Sequence, residues 1–204
     1  MDTFRHGLTL LMLMFMPGAV LFWFLVHPFI RFWRRIGLRR FMAIQYTFLA
    51  AFAAGVFLLR KTLLAVDFGT NPILIAWAVP ILAASIVLRL QISRQLRFST
   101  LGGLPELAPE SHPQPLLTEG IYARVRHPRY VEVLLVMASL TLIANNLASY
   151  VNWIVALPSV LAVVRLEERE LHDRFGAQYD AYCARVPRFV PRWRTGSWHG
   201  SAPC

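Results

Sequence analysis

The chain has 204 residues, 56% of them apolar, with a mean hydropathy of +0.48 and a formal net charge of +10. That is too apolar for an ordinary soluble domain, and the apolar residues come in blocks rather than at core-forming intervals. The positive charge alone would suit a nucleic-acid partner, but its placement between apolar blocks argues for a membrane surface instead.

Residues 7–30 contain no Lys, Arg, Asp or Glu. Crossing a hydrocarbon core of about 30 Å takes roughly 20 residues, so this block predicts a first span. Arg5 is the only Lys or Arg ahead of it. It is too long for a signal-peptide core and lacks a small-x-small cleavage site near its end, so it is expected to stay as a span. It closes at His27-Pro28, and an arginine-rich elbow follows. A second charge-free block covers 41–59 and contains Gly55, small enough for close helix approach. A third covers 68–88, with Pro80 near its middle predicting a tolerated kink. These three spans read as scaffold.

From Gln91 to Glu119 the chain turns to Gly102-Gly103, Pro105, Pro109, Pro113 and Pro115 with scattered polar residues. A loop of that length is more than a connector and is expected to be functional. Residues 120–130 then read Gly-Ile-Tyr-Ala-Arg-Val-Arg-His-Pro-Arg-Tyr. After Glu132 an apolar stretch runs to Leu166, broken at Asn145-Asn146 and followed by Glu167-Glu168. This predicts a membrane hairpin of two somewhat short spans, about 133–149 and 150–166. A hairpin returns its ends to one side, so the Arg-His-Pro-x-Tyr cluster and the Glu pair should meet at one membrane face.

Beyond the hairpin, Leu171, Phe175, Tyr179, Tyr182 and Val186 form an apolar-aromatic stripe at helical intervals. Glu167, Glu168, Glu170 and Asp173 suit the first turns of that helix, and Pro187 ends it. The expected fold is an all-α integral membrane protein with about five transmembrane helices, a C-terminal helical hairpin and a cytoplasmic amphipathic helix. Its parts are a scaffold over 1–90, a cytoplasmic loop over 91–130, the hairpin over 131–166, the amphipathic helix over 167–191 and a disordered tail over 192–204.

With the N-terminus outside, every basic residue of the 21 except Arg5, Arg60 and Lys61 falls on the inner side. The positive-inside rule therefore orients the C-terminus and the Arg-His-Pro cluster toward the cytoplasm, where anionic head groups attract the same charges. The expected location is the cell membrane of a bacterium, the inner one where there are two. Cys183 and Cys204 face that reducing side without metal-ligand neighbours, so neither a disulfide nor a metal site is expected.

The Arg-His-Pro cluster combines several chemistries. Pro128 breaks the incoming backbone and can open the next helix, whose first amides suit a carboxylate. Arg124, Arg126 and Arg129 add charge there. Tyr122 and Tyr130 offer aromatic faces that attract cations. His127 can donate or accept, and Glu167 can take hydroxyl or ammonium hydrogen bonds. The set suits a ligand with a carboxylate, an ammonium, ribose hydroxyls and a sulfonium, which describes S-adenosylmethionine, but a lipid head group would suit it too.

Gly120-x-Tyr122-x-x-x-Arg126-His127-Pro128-x-Tyr130, followed by two apolar spans, resembles the isoprenylcysteine carboxyl methyltransferase family. So does Glu167-Glu168-x-x-Leu171-x-x-x-Phe175-Gly176-x-x-Tyr179-x-x-Tyr182-x-x-x-Val186-Pro187-Arg188, and the related phospholipid methyltransferases share much of the pattern. The resemblance covers about 115–191, while spans one to three agree only in number and apolarity. It implies a membrane enzyme that binds S-adenosylmethionine in a cytoplasmic pocket without a Rossmann-type fold. By position, Tyr122 and His127, Pro128, Arg129 and Tyr130 would contact the cofactor, Gln114, Leu116 and Leu117 would line it, and Glu167 would hold it from the other hairpin end. The acceptor would be a lipophilic or prenylated molecule entering from the bilayer, with no nucleic acid and no metal.

Two positions depart from the pattern. Val163 stands where family members often carry an arginine for the substrate carboxylate, and Arg165 lies two residues before Glu167 instead. Glu132 stands where a small residue usually begins the span. An acid at that depth is a functional candidate, with Arg129 or Arg165 as a pairing partner. His127, Arg165 and Glu132 are therefore the candidate catalytic residues, His127 or Glu132 deprotonating an amine or thiol acceptor. The expected activity is isoprenylcysteine carboxyl O-methylation. The alternatives are amine methylation of a phospholipid, S-methylation of a small thiol, and a reductase-like membrane protein that reuses the hairpin.

Overall fold

The computed structural model describes residues 1–26, 29–95 and 115–191. All the named elements are helical: α1 Asp2–Val26, α2 Ile30–Ile36, α3 Leu38–Leu58, α4 Arg60–Leu63, α5 Pro72–Ser93, α6 Pro128–Ala144, α7 Leu147–Phe175 and α8 Ala177–Arg185, with a 3-10 turn at Gly120–Ala123 before α6. Gln114 and the tail over 192–204 lie outside the described residues, so the expectations placed on them have no structural counterpart here.

α1, α3, α5 and α7 are each long and apolar enough to cross a membrane. Their outward side chains, among them Phe15, Ile44, Trp77, Val87, Val151 and Ile154, are exposed and apolar, as a hydrocarbon surround requires. α6 has 17 residues, at the short end of what spans a bilayer. It packs most extensively on α5, α7 packs on α1, and α1 also holds α3. Gly18 of α1 makes the last contact possible, because a Cβ there would meet a Leu49 methyl at 2.9 Å.

The hairpin breaks where the sequence placed it. Asn145 takes a left-handed conformation (φ 47°) that ends α6, and Asn146 caps α7 by accepting from the Ala148 amide. α6 opens at Pro128, as the sequence reading expects, because proline is pre-set for a first helical position. α7 does not stop at Leu166 but runs 29 residues in all, from Leu147 to Phe175, and carries Glu167 and Glu168 at the end away from the hairpin tip. Gly176, with φ 51°, turns the chain into α8, a conformation glycine adopts without Cβ strain. The aromatic stripe is thus split over two helices, yet it closes into one cluster. Tyr179, Tyr182, Cys183 and Val186 pack together, with Leu116, Leu171 and Phe175 around them. Cys183 is buried in this cluster, and Cys204 lies outside the described residues, as does the expectation placed on its pairing.

The hairpin tip is tied to the N-terminus. Arg5, 1% exposed, donates through Nε to the Ala144 carbonyl at 3.1 Å, through Nη1 to Asp2 at 2.9 Å, and through Nη2 to Asp67. The loop before α5 joins them by main-chain bonds from Phe68 to Asn145 and from Leu147 to Val66. The N-terminus therefore lies at the end of the bundle opposite His127.

Candidate functional site

Pro128 fixes the start of α6, and the two residues before it bond to the C-terminal segment through their backbone amides. The Arg126 amide donates to the Pro187 carbonyl at 2.9 Å and the His127 amide to the Arg188 carbonyl at 3.0 Å. The Tyr182 hydroxyl donates to the Tyr122 carbonyl at 2.6 Å, which fastens α8 to the turn before α6. Two chain segments about sixty residues apart thus form one platform over the open end of the hairpin.

Glu168 sits at the centre of that platform, 4% exposed. Its Oε1 receives His127 Nε2 at 3.0 Å, Arg126 Nη2 at 3.0 Å and Arg188 Nε at 3.0 Å, while its Oε2 receives Arg188 Nη2. An ionised carboxylate only accepts, so the hydrogen between His127 and Glu168 belongs to Nε2. The guanidinium of Arg188 is held further toward its charged form by this hydrogen bond, against the opposing cost of its burial. A carboxylate so fully engaged is a structural anchor.

Glu167 differs. Its Oε2 is buried and makes no hydrogen bond among the described residues, and it lies 3.9 Å from His127 Nδ1. That distance is too long for a hydrogen bond but leaves both groups facing the same space. A buried carboxylate oxygen with no donor is costly and is the place where an ammonium or hydroxyl would be welcomed. The ring of His127 is itself clamped between Tyr130 and Phe189, at centroid distances of 5.9 and 6.1 Å.

The remaining expected residues divide. Tyr122 is buried beside the platform, and burial first, then the charge of Glu167, pushes its hydroxyl up to about 12 against the opposing pull of Arg129. Leu116 packs on the α8 cluster, and Leu117 and Arg129 are half-buried nearby in the chain. Glu132 is buried and pairs with Arg89 of α5 at 4.0 Å, with Arg129 acting at longer range; Arg165 plays no part in it. Arg165 is exposed, and none of the described polar contacts of the platform involves it, whereas Val163 is buried. Sequence reasoning passed over Glu168, Arg188 and Phe189 as site residues. The signal for Glu168 was its four-residue step from Val164 to the buried helix face, which is visible only once α7 is known to continue.

Beside the platform, between α6 and α7, an apolar cavity of about 340 Å³ is lined by Val131, Leu134, Ala138, Trp153, Leu157 and Phe189 among others. Phe189 lines the cavity and also packs against the His127 ring, so the cavity adjoins the polar platform.

The family model for phospholipid methyltransferases matches residues 73–178, just over half of the chain. The chain belongs to that family. The match takes in α5, which extends the likeness beyond the region from 115 onward, and it covers both ends of the hairpin, so His127, Glu167 and Glu168 all lie inside it. No curated protein and no solved structure matches the chain. As a phospholipid methyltransferase family member with long apolar helices, it is a membrane methyltransferase by family, and among the described residues no group of His, Cys, Asp and Glu suits a metal ion.

Proposed function

We propose that this protein transfers a methyl group from S-adenosylmethionine to a lipophilic acceptor lying in the bilayer, with the site on the cytoplasmic face. The observation that carries the reading is the buried Glu167 oxygen, without a hydrogen bond among the described residues, beside His127 at the junction of the two hairpin ends. The residues present fit the cofactor: Glu167 offers an acceptor for an ammonium or ribose hydroxyl, Tyr122 and Tyr130 offer aromatic faces for a cation, and Leu116 and Leu117 offer apolar walls. Bound there, S-adenosylmethionine supplies a methyl group already activated on a sulfonium, so the protein's task is positioning and exclusion of water.

The chain's own residues perform that task in an ordered way. Glu168, held by Arg126 and Arg188, fixes the His127 ring, so His127 Nδ1 presents a defined edge toward Glu167. Phe189 shields one face of the ring and opens into the cavity between α6 and α7. An acceptor with its hydrocarbon part in that cavity would bring its polar end to His127.

The motif resemblance favours a prenylcysteine carboxylate as acceptor, and such a group needs no base. A phospholipid amine is the second reading, favoured by the exposure of Arg165, the burial of Val163 and the acids Glu132 and Glu167 near the platform. The purified protein, given S-adenosylmethionine with a radiolabelled methyl group and a membrane extract, should label the lipid-soluble fraction. Base-labile label identifies a methyl ester, and base-stable label in phospholipid identifies the amine. Label in neither the lipid, the peptide nor the thiol fraction would refute the proposal.

A further inference from the structure

Along the two helices, the lining of the cavity between α6 and α7 runs from Val131 and Leu161, nearest the platform, to Ala138 and Trp153, the lining residues nearest the tip. Trp153 does not sit there loosely. Its indole N–H donates to the Leu134 carbonyl of α6 at 3.2 Å, which pins the ring across the gap between the two helices. One turn further toward the tip the lining changes character. Ser149, four residues before Trp153, is buried and bonded to the Asn146 carbonyl, its own carbonyl takes the Thr141 hydroxyl at 3.4 Å, and Asn145 and Asn146 follow. An apolar chain has nothing to gain by passing Trp153, because the space beyond it is polar and occupied.

We propose that Trp153 is the floor of a slot for a single hydrocarbon chain of the acceptor, and that it sets the length of chain the protein holds best. The proposal rests on the methyl-transfer reading above, since it takes the chain's polar end to lie at His127. The occupant follows from three facts. The slot walls are apolar, the slot adjoins the platform at Phe189, and its volume is about 340 Å³. An apolar protein cavity of about 150 Å³ takes one benzene, so this one takes about a dozen carbons, which is one chain and not two. A second chain on the same molecule would remain among the bilayer lipids.

The test is native mass spectrometry of the purified full chain released from micelles containing an equimolar series of lysophospholipids with 8 to about 18 carbons. The parent is expected to retain chains near a dozen carbons over the longest ones by at least about fivefold. Trp153→Ala is expected to shift retention toward chains about four carbons longer, and Ala138→Phe, which fills the bottom of the slot, toward shorter ones. If Trp153→Ala does not fold, Ala138→Phe and Trp153→Phe carry the test, the latter with an intermediate shift. The same chain-length distribution in the parent and every folded variant would overturn the proposal. Titration of the same proteins with S-adenosylmethionine separates the two failures. No cofactor binding by the parent removes the methyl-transfer reading, while normal cofactor binding with an unmoved distribution removes only the role of Trp153.

Discussion

His127 and Glu168 stand 41 residues apart in the chain, and their side chains meet at 3.0 Å with both groups buried. The contact joins the opening of α6 to the end of α7, so the hairpin closes on itself at the membrane face. Arg126 and Arg188 bind the same carboxylate, which makes Glu168 the point where the Arg-His-Pro segment, the hairpin and the C-terminal segment are fastened together.

Removing Glu168 should therefore loosen the fold more than it alters any one contact. Glu168→Ala takes a shared partner from two guanidinium groups and an imidazole that remain near the protein interior. Breaking a buried ion pair from one side costs about 3–5 kcal/mol. A large fall in the thermal midpoint in detergent is expected, and a midpoint within a degree of the parent's would contradict the anchor role.

Arg188 should act through Glu168 and not independently. A double-mutant cycle of Arg188→Ala with Glu168→Ala is expected to give a coupling energy of about 0.5–3 kcal/mol, the range found for residues in one ion-pair network. Additive losses would mean that the two side chains stabilise the protein separately.

The tyrosines of the platform predict an alkaline limit. Burial pushes Tyr122 and Tyr182 up to about 12 from the usual 10, opposed at Tyr182 by Arg126 and at Tyr122 by Arg129. The unfolded chain ionises them near pH 10 while the folded one keeps them protonated. Their contribution is thus complete below pH 10 and is lost as pH rises from about 10 to about 12, on the order of 2–3 kcal/mol for each. Melting curves between pH 9 and 12 should fall steeply for the parent and less steeply for Tyr182→Phe, despite the lower neutral stability of that variant. Parallel curves for the two proteins would refute the assignment.

At the other membrane face Arg5 is the counterpart of Glu168. Asp67→Ala leaves the buried guanidinium with Asp2 and a carbonyl only, so a loss of about 3–5 kcal/mol is expected. Because the platform lies at the opposite end, cofactor binding by the folded fraction should be unchanged. Selective loss of binding without loss of stability would contradict this separation.

Much of this arrangement is legible in the sequence because membranes impose simple rules. Charge-free blocks give the spans, Asn145-Asn146 gives the hairpin tip, and the return of a hairpin brings His127 and the Glu pair together. The choice between Glu167 and Glu168 was not legible, since it depends on the helical phase of α7 and on its running through Leu166. The partner of Glu132 was hidden for another reason: Arg89 reaches it from α5, a contact between helices that no spacing within the hairpin encodes. Arg5 is the same case, since besides Asp2 nearby its partners lie 62 and 139 residues away.

The most direct test is calorimetric titration of the purified full chain and of Glu167→Gln with S-adenosylmethionine. The parent should bind one equivalent. The variant should keep its thermal midpoint and bind about tenfold or more weakly, the loss expected when a charged hydrogen-bond acceptor is neutralised. Equal binding by the two proteins, or no binding by the parent, would contradict the placement of a methyl-donor site between His127 and Glu167.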